Sequence, residues 1–240
     1  MGAARIRLYV DHPLAAGQSL PLQPDQAHYL TGVMRLADGA AVLAFDGRSG
    51  EWLCTLGLEG RRRATLTPVR QTRPQADPPD LWLLFAPLKK ARTDFVVEKA
   101  VELGVRRILP VQTAFTSAER IRRERLQAQA REAAEQCGAL AVPEVAGLRP
   151  LAQVLAGWDA GRDLIFCDEA MAGPSGDLPA RGRPAAVLVG PEGGFEAGER
   201  ARLHALPFAR PLALGPRILR AETAAVAALV LWQRAAGDWA

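Results

Sequence analysis

AAVLVGPEGGFEAGER, residues 185–200, passes from an apolar run into a turn of glycine and proline and then into a charged, helix-forming segment. Glycine at a strand-to-helix turn gives up side-chain packing and backbone entropy. What it offers in return is main chain that a ligand can approach closely. A second stretch, PLALGPRILRAET (211–223), repeats the arrangement: an apolar run, Gly-Pro, then a helix-like segment. Ligands of open α/β sheets sit outside the carboxyl ends of the strands. Two Gly-Pro loops after neighbouring strands therefore form one pocket lined largely by main chain, suited to the edge of a flat heterocycle such as adenine. Neither loop has the spacing of a Walker or dinucleotide phosphate loop, and Glu192 would repel a phosphate. Glu192 and Glu222 suit a cationic or neutral ligand. The plainer alternative is that both loops are only tight turns.

The pattern around these loops is α/β. LWLLFAPL (81–88), RRILPV (106–111), DLIFCDE (163–169), AAVLVG (185–190) and PLALG (211–215) read as strands. Helices are expected over 91–104, stopped by Gly104, over a long segment ending at Gly138, over 151–158, near 196–206 and from about Ala221 to Ala236. Thr116 and Glu119 have capping-box spacing and place the start of the long helix at 116. Such alternation argues a mostly parallel sheet covered on both faces. Residues 1–70 differ. RIRLYV (5–10), AAVLAFDG (40–47), EWLCTLGL (51–58) and ATLTPV (64–69) are short strands separated by turn signals. One helix, capped by Asp25, carries Ala27, Leu30 and Met34. A small closed or half-closed β-barrel fits. Residues 71–80 lie in a proline-rich stretch and read as the linker, leaving 81–240 as the second domain.

Bulk composition excludes several classes. No apolar run approaches the roughly 20 residues needed to span a bilayer, and MGAARIRLYV lacks a signal peptide's apolar stretch. A cytoplasmic protein with no membrane partner is expected. Cys54, Cys137 and Cys167 are odd in number and far apart, as reduced thiols are. His12, His28 and His204 have no ligand spacing, so no metal is expected. The net charge of +4 leans toward a polyanionic partner. The basic residues are mostly arginine, which forks onto phosphate. Arg120, Arg122, Arg123 and Arg125 alternate with glutamates and read mainly as exposed surface.

VGPEGGF together with LGPRILRAETAAVAAL resembles the paired C-terminal signature of the SPOUT methyltransferases. More narrowly it is similar to the RsmE family, which methylates N3 of a uridine in 16S ribosomal RNA. KKARTDFVVEKAVELGVRRILP (89–110), EQCGALAVPEV (135–145) and HYLTGVMRLADGAAVLAFDG (28–47) resemble further segments of that family, so the likeness covers nearly the whole chain. The resemblance implies a parallel α/β sheet with a C-terminal trefoil knot, preceded by a small PUA-like β-barrel domain that contacts RNA. It implies S-adenosylmethionine as cofactor, a homodimer, and 16S rRNA or the assembled small ribosomal subunit as partner.

Residue by residue, the resemblance puts Leu188, Val189, Gly190, Glu192, Gly193, Leu214, Gly215, Ile218, Leu219 and Thr223 around the cofactor. Glu192 lies near its charged end or fixes the loop. Arg220 stabilises charge developing on the uracil, and Glu222 helps remove the proton or orients Arg220; the alternative is a helix-start ion pair. Arg5, Arg7, Arg35 and Arg48 in the first domain, and Lys89, Lys90 and Arg92 in the second, are the candidate RNA contacts. Two other readings stay open: a SPOUT enzyme acting on another RNA such as tRNA, and a non-catalytic RNA-binding protein. The two intact glycine loops argue against the second, which would not need a main-chain pocket.

Overall fold

The computed structural model describes residues 6–60, 63–171, 178 and 181–240. The chain forms two compact units, one of residues 1–77 with 134–141 and one of residues 78–133 with 142–240.

The first unit is built on a five-stranded sheet in the order β1-β3-β4-β5-β2, with β1 Arg7–Tyr9, β2 Leu20–Pro21, β3 Ala41–Phe45, β4 Glu51–Glu59 and β5 Arg63–Arg73. β1 runs parallel to β3, and the other pairs are antiparallel. Val42, Ala44, Cys54, Leu56, Ala64 and Leu66 alternate inward from the long strands and share one core with Leu8, Leu20 and Leu30. β5 continues to Arg73, three residues into the stretch expected as linker, because Arg73 still pairs with Glu51. The helix α1, Pro24–His28, is capped by Gln23 through a reciprocal box with Gln26, not by Asp25, which lies in the first turn. It widens into a π-helical turn over Tyr29–Val33.

The second sheet has the order β12-β10-β11-β6-β7-β8, and every pair in it is parallel. Its strands are β6 Leu81–Phe85, β7 Arg107–Gln112, β8 Glu144–Val145, β10 Asp163–Cys167, β11 Ala185–Val189 and β12 Ala209–Leu212, with the two-residue β9, Arg149–Pro150, beside β7. β10 and β11 are buried at every position, as continuous apolar runs in the middle of a parallel sheet must be. The helices are α2 Lys90–Glu102, α3 Arg123–Cys137, α4 Leu151–Ala156, α5 Ala197–Ala205 and α6 Ala221–Ala236. Leu84, Phe166 and Leu188 pack on one face with Leu151 and Val154 of α4 and Leu203 of α5. α6 packs on β11 and on α2. Its buried stripe is small (Ala221, Ala224, Ala225, Ala228) until Leu229 and Trp232, which lets the helix lie close to the strand.

The long helix starts at Arg123, seven residues after the expected capping box. Thr116 Oγ1 instead accepts from the Thr113 amide at 2.8 Å, so that box closes a turn. α3 stops where Gly138 takes φ +81°. Among the described residues, no helix is long and apolar enough to cross a membrane.

Candidate active site

The loops after β10, β11 and β12 surround a cavity of about 320 Å³. β11 lies between β6 and β10, so chain order reverses beside it, which is where such sheets bind ligands. Val189, Gly190 and Glu192 line the cavity from the β11 loop, and Leu214, Gly215, Ile218 and Leu219 line it from the β12 loop. Arg220 also lines it. A Cβ on Gly190 would stand 3.3 Å from the Phe195 ring, so any larger residue there displaces the aromatic or enters the cavity. Gly215 has φ +94° with open space around its missing Cβ; there glycine answers a conformational need.

Three expected cofactor residues do not line this cavity. Leu188 is fully buried and packs in the sheet core. Gly193 lies against Phe115, 3.2 Å from where its Cβ would be. Thr223 is exposed on the first turn of α6.

The charged groups are paired differently from the sequence expectation. Arg92 Nη1 donates to Glu192 Oε1 at 3.1 Å, and Arg92 Nε lies 3.5 Å from Glu222 Oε1. The other carboxylate oxygen of Glu222 is buried without a hydrogen-bond partner. Arg220 and Glu222 form no ion pair. Residues two apart at a helix start do not face one another, and Glu222 turns to Arg92. The Arg220 side chain is exposed and makes no ion pair or hydrogen bond among the described residues. Arg92, expected on RNA, is thus engaged by two carboxylates, one of which lines the cavity.

A second network went unread in the sequence. Asp168, at the end of β10, lines the cavity with a side chain only 1% exposed. It faces Arg200 Nε at 3.1 Å and His204 Nε2 at 2.8 Å, both from α5. Arg200 also pairs with Glu169. The available signal was CDE (167–169) at the carboxyl end of an apolar strand. His204 is therefore part of a carboxylate network, with its ring edge-on to Phe166 at 5.0 Å. Cys167 lines the cavity too, its thiol pushed up to about 12 by burial and by the nearby Glu169. It stays protonated and is no nucleophile at neutral pH.

The expected RNA residues separate into distinct environments. Arg7 is not a surface contact. Its side chain is 11% exposed and bonds Glu51 Oε2 at 2.8 Å. It also donates to the carbonyls of Ala134, Glu135 and Ala139 at 2.7–3.0 Å. Those carbonyls close the end of α3, where a cation complements the helix dipole, so no donor fork is left for phosphate. Arg35 is exposed with φ +54°. Arg48 is exposed beside a turn held by Asp46. Lys89 and Lys90 are exposed at the start of α2, with Lys90 3.7 Å from Asp94. Arg5 lies outside the described residues.

Residues 75–233 match the RNA methyltransferase domain family, and residues 22–69 match the RNA methyltransferase PUA domain family. This chain belongs to the RNA methyltransferase family. It is similar to the ribosomal RNA small subunit methyltransferase E of Rickettsia conorii, 26% identical over 93% of either chain. The enzyme of that name from Bacillus subtilis is 27% identical over 85% of this chain and 86% of its own. Among solved structures, the fold is similar to a ribosomal RNA small subunit methyltransferase E from Neisseria gonorrhoeae bound to S-adenosyl methionine. That match has a TM-score of 0.89 and 28% identity, and covers 98% of this chain and 99% of the other. A putative methyltransferase from Legionella pneumophila, also holding that cofactor, superposes with a TM-score of 0.87 at 28% identity over 97% and 98% of the two chains. The parallel α/β domain with a preceding PUA-like domain is thus common to this methyltransferase family and to this chain.

Proposed function

We propose that this chain methylates N3 of a uridine in the 16S rRNA of the small ribosomal subunit, using S-adenosylmethionine. The observation that carries the reading is the cavity between the 190–194 and 214–220 loops, in a chain whose full-length relatives bear that enzyme's name. The residues present fit the cofactor. The cavity falls within the size range of small-molecule sites, Gly190, Gly194 and Gly215 line it with main chain, and its charged lining is mixed, with Asp168, Glu169 and Glu192 beside Arg217 and Arg220. Such a lining suits a zwitterionic ligand, whose sulfonium and ammonium groups favour carboxylates and whose carboxylate favours an arginine.

The cofactor supplies a methyl group on a positively charged sulfur. The chain's own task is to present uracil N3 to it. A base-paired N3 is hidden, so the nucleotide is flipped or already single-stranded, at a cost of a few kcal/mol. Arg220, exposed on the cavity lining and unpaired among the described residues, stabilises negative charge on the uracil oxygens as the N3 proton leaves. Glu222 acts through Arg92, which ties the helix start to the Glu192 loop. Most of the acceleration comes from positioning.

The PUA-like unit holds RNA through exposed arginines such as Arg35 and Arg48. The enzyme works in the cytoplasm as a homodimer with a trefoil-knotted C-terminal segment. Leu231 on α6 and Phe95 on α2 are both exposed large apolar residues, which supports contact with a second copy. The test is incubation with labelled S-adenosylmethionine and, separately, small subunits, free 16S rRNA and tRNA, with light scattering on the same sample. The expected result is a dimer that leaves 3-methyluridine in 16S rRNA, mapped by mass spectrometry. Label in tRNA alone, or in no RNA, would overturn the assignment.

A further inference from the structure

A second cavity, of about 430 Å³, opens between the start of α2 and the segment leading into α3. It shares no lining residue with the first cavity. Four cations line it: Lys90, Arg120, Arg122 and Arg125. No carboxylate is among its lining residues. Asp94 lies behind two of the cations, pairing with Arg125 at 2.5 Å and with Lys90 at 3.7 Å. This carboxylate orients them without neutralising the other two. Arg120 and Arg122 are exposed, and their side chains make no ion pair or hydrogen bond among the described residues. α3 begins at Arg123, and the positive end of its dipole adds to the same field. Such a cluster, with two guanidinium forks unsatisfied by the protein, suits phosphate oxygens.

Its position relates it to the reaction. The first turn of α2 separates the two cavities. Lys90 and Thr93 line the basic one, while Arg92 turns the other way to Glu192 at 3.1 Å, on the wall of the first one. The first cavity has both carboxylates and arginines in its lining, whereas the charged lining of the second is cations alone. The geometry points to the basic cavity as the seat of an RNA phosphodiester flanking the target nucleotide. Arg120 and Arg122 are the specific contacts, and Arg125 is a cation pre-positioned by Asp94. The assignment rests on the rRNA methyltransferase reading above. It adds Arg120, Arg122 and Arg125, expected as plain exposed surface, to Lys90, the lining residue already expected on RNA.

The test compares Arg120→Gln/Arg122→Gln with a control of equal charge, Arg106→Gln/Arg202→Gln, which removes exposed arginines away from this cavity. Binding to a 16S rRNA fragment is measured at several salt concentrations, with cofactor binding by calorimetry. The expected result is roughly tenfold weaker RNA binding at about 0.1 M salt, and a log–log salt slope reduced by about 1.5, as for two lost single-strand phosphate contacts. KM for RNA should rise with kcat at saturating RNA retained, and cofactor affinity and melting temperature should match wild type. If the cavity variant and the control bind RNA alike, the cavity assignment falls while the methyltransferase reading stands. If wild type neither binds nor methylates the RNA, both fall. A variant that cannot be compared because it melts early is replaced by Arg120→Lys/Arg122→Lys. That pair keeps charge but loses the forked donors, and it should show weaker binding with an unchanged slope; binding equal to wild type would count against forked phosphate recognition.

Discussion

Arg92 and Glu192 stand a hundred residues apart in the chain, and the guanidinium donates to the carboxylate at 3.1 Å on the wall of the cavity between the 190–194 and 214–220 loops. The same arginine reaches Glu222 at 3.5 Å. It therefore joins the start of α2, the 190–194 loop and the start of α6. Arg92→Ala should lower methyl transfer at saturating RNA, by about tenfold or more if positioning is what it supplies. The salt slope of RNA binding should not change. A slope smaller by about one, with turnover intact, would make Arg92 a phosphate contact instead.

Gly190 tests the cavity itself. Gly190→Val puts a branched side chain where a Cβ already meets the Phe195 ring at 3.3 Å. Calorimetry should show S-adenosylmethionine binding lost in this variant, and wild-type binding unaffected by EDTA. Equal affinities for the two proteins would remove the 190–194 loop from the cofactor site.

Arg220 lines the cavity, is exposed and has no ion-pair or hydrogen-bond partner for its side chain among the described residues. Its loss should leave folding and cofactor affinity alone. Arg220→Ala is expected to reduce single-turnover methyl transfer on the order of 100-fold, as removal of an oxyanion donor does. Full turnover in this variant would assign charge stabilisation to another group.

Arg7 should behave as a structural residue. Its buried bond to Glu51 and its three carbonyl contacts belong to the first unit. Removing Arg7 leaves Glu51 with only the Thr72 hydroxyl at 2.8 Å and Arg73 at 4.0 Å, so the cost stays below the roughly 3–5 kcal/mol of a buried charge left with no partner. Arg7→Ala should still lower the denaturant midpoint of the first unit. A stable variant with only weakened RNA binding would restore Arg7 to the surface role.

Asp46 sets an acid limit for the same unit. Burial alone would raise its pKa, but hydrogen bonds from the Ser49 hydroxyl and from the amides of Ser49, Arg48 and Leu14 hold it below its ordinary 3.8. A carboxyl with a depressed folded-state pKa stabilises the fold above the unfolded value and loses that contribution as pH falls through the folded one. Asp46→Asn should be less stable at neutral pH and show a shallower loss of stability below about pH 4. An unchanged acid limb in thermal melts at stepped pH would show that Asp46 does not contribute to it.

The sequence by itself determined the elements whose signal is local. LWLLF, DLIFC and AAVLV are unbroken apolar runs, and only the middle of a parallel sheet buries a strand on both sides; all three lie there. The last helix spans Ala221–Ala236 as expected, since small and apolar residues persist across it without a breaker. The two Gly-Pro loops were legible as cavity walls because glycine after a strand is a local signal of backbone approach, and both line the cavity beside β11.

Tertiary structure decided whatever depends on partners distant in the chain. The Thr116–Glu119 spacing predicts a helix start, but Thr113 offers Thr116 a nearer partner and the helix waits until Arg123. An arginine's letter does not say which way it faces. Arg7 turns inward because Glu51 and the end of α3 meet it, while Arg120 and Arg122 stay outside because no partner among the described residues meets them. Arg92 finds Glu192 and Glu222, and Asp168 finds Arg200 and His204, only after the sheet brings loops from separate strands to one edge. Charge pairing acts over a few ångströms of space and is indifferent to separation along the chain, so these pairs became legible only in the folded protein.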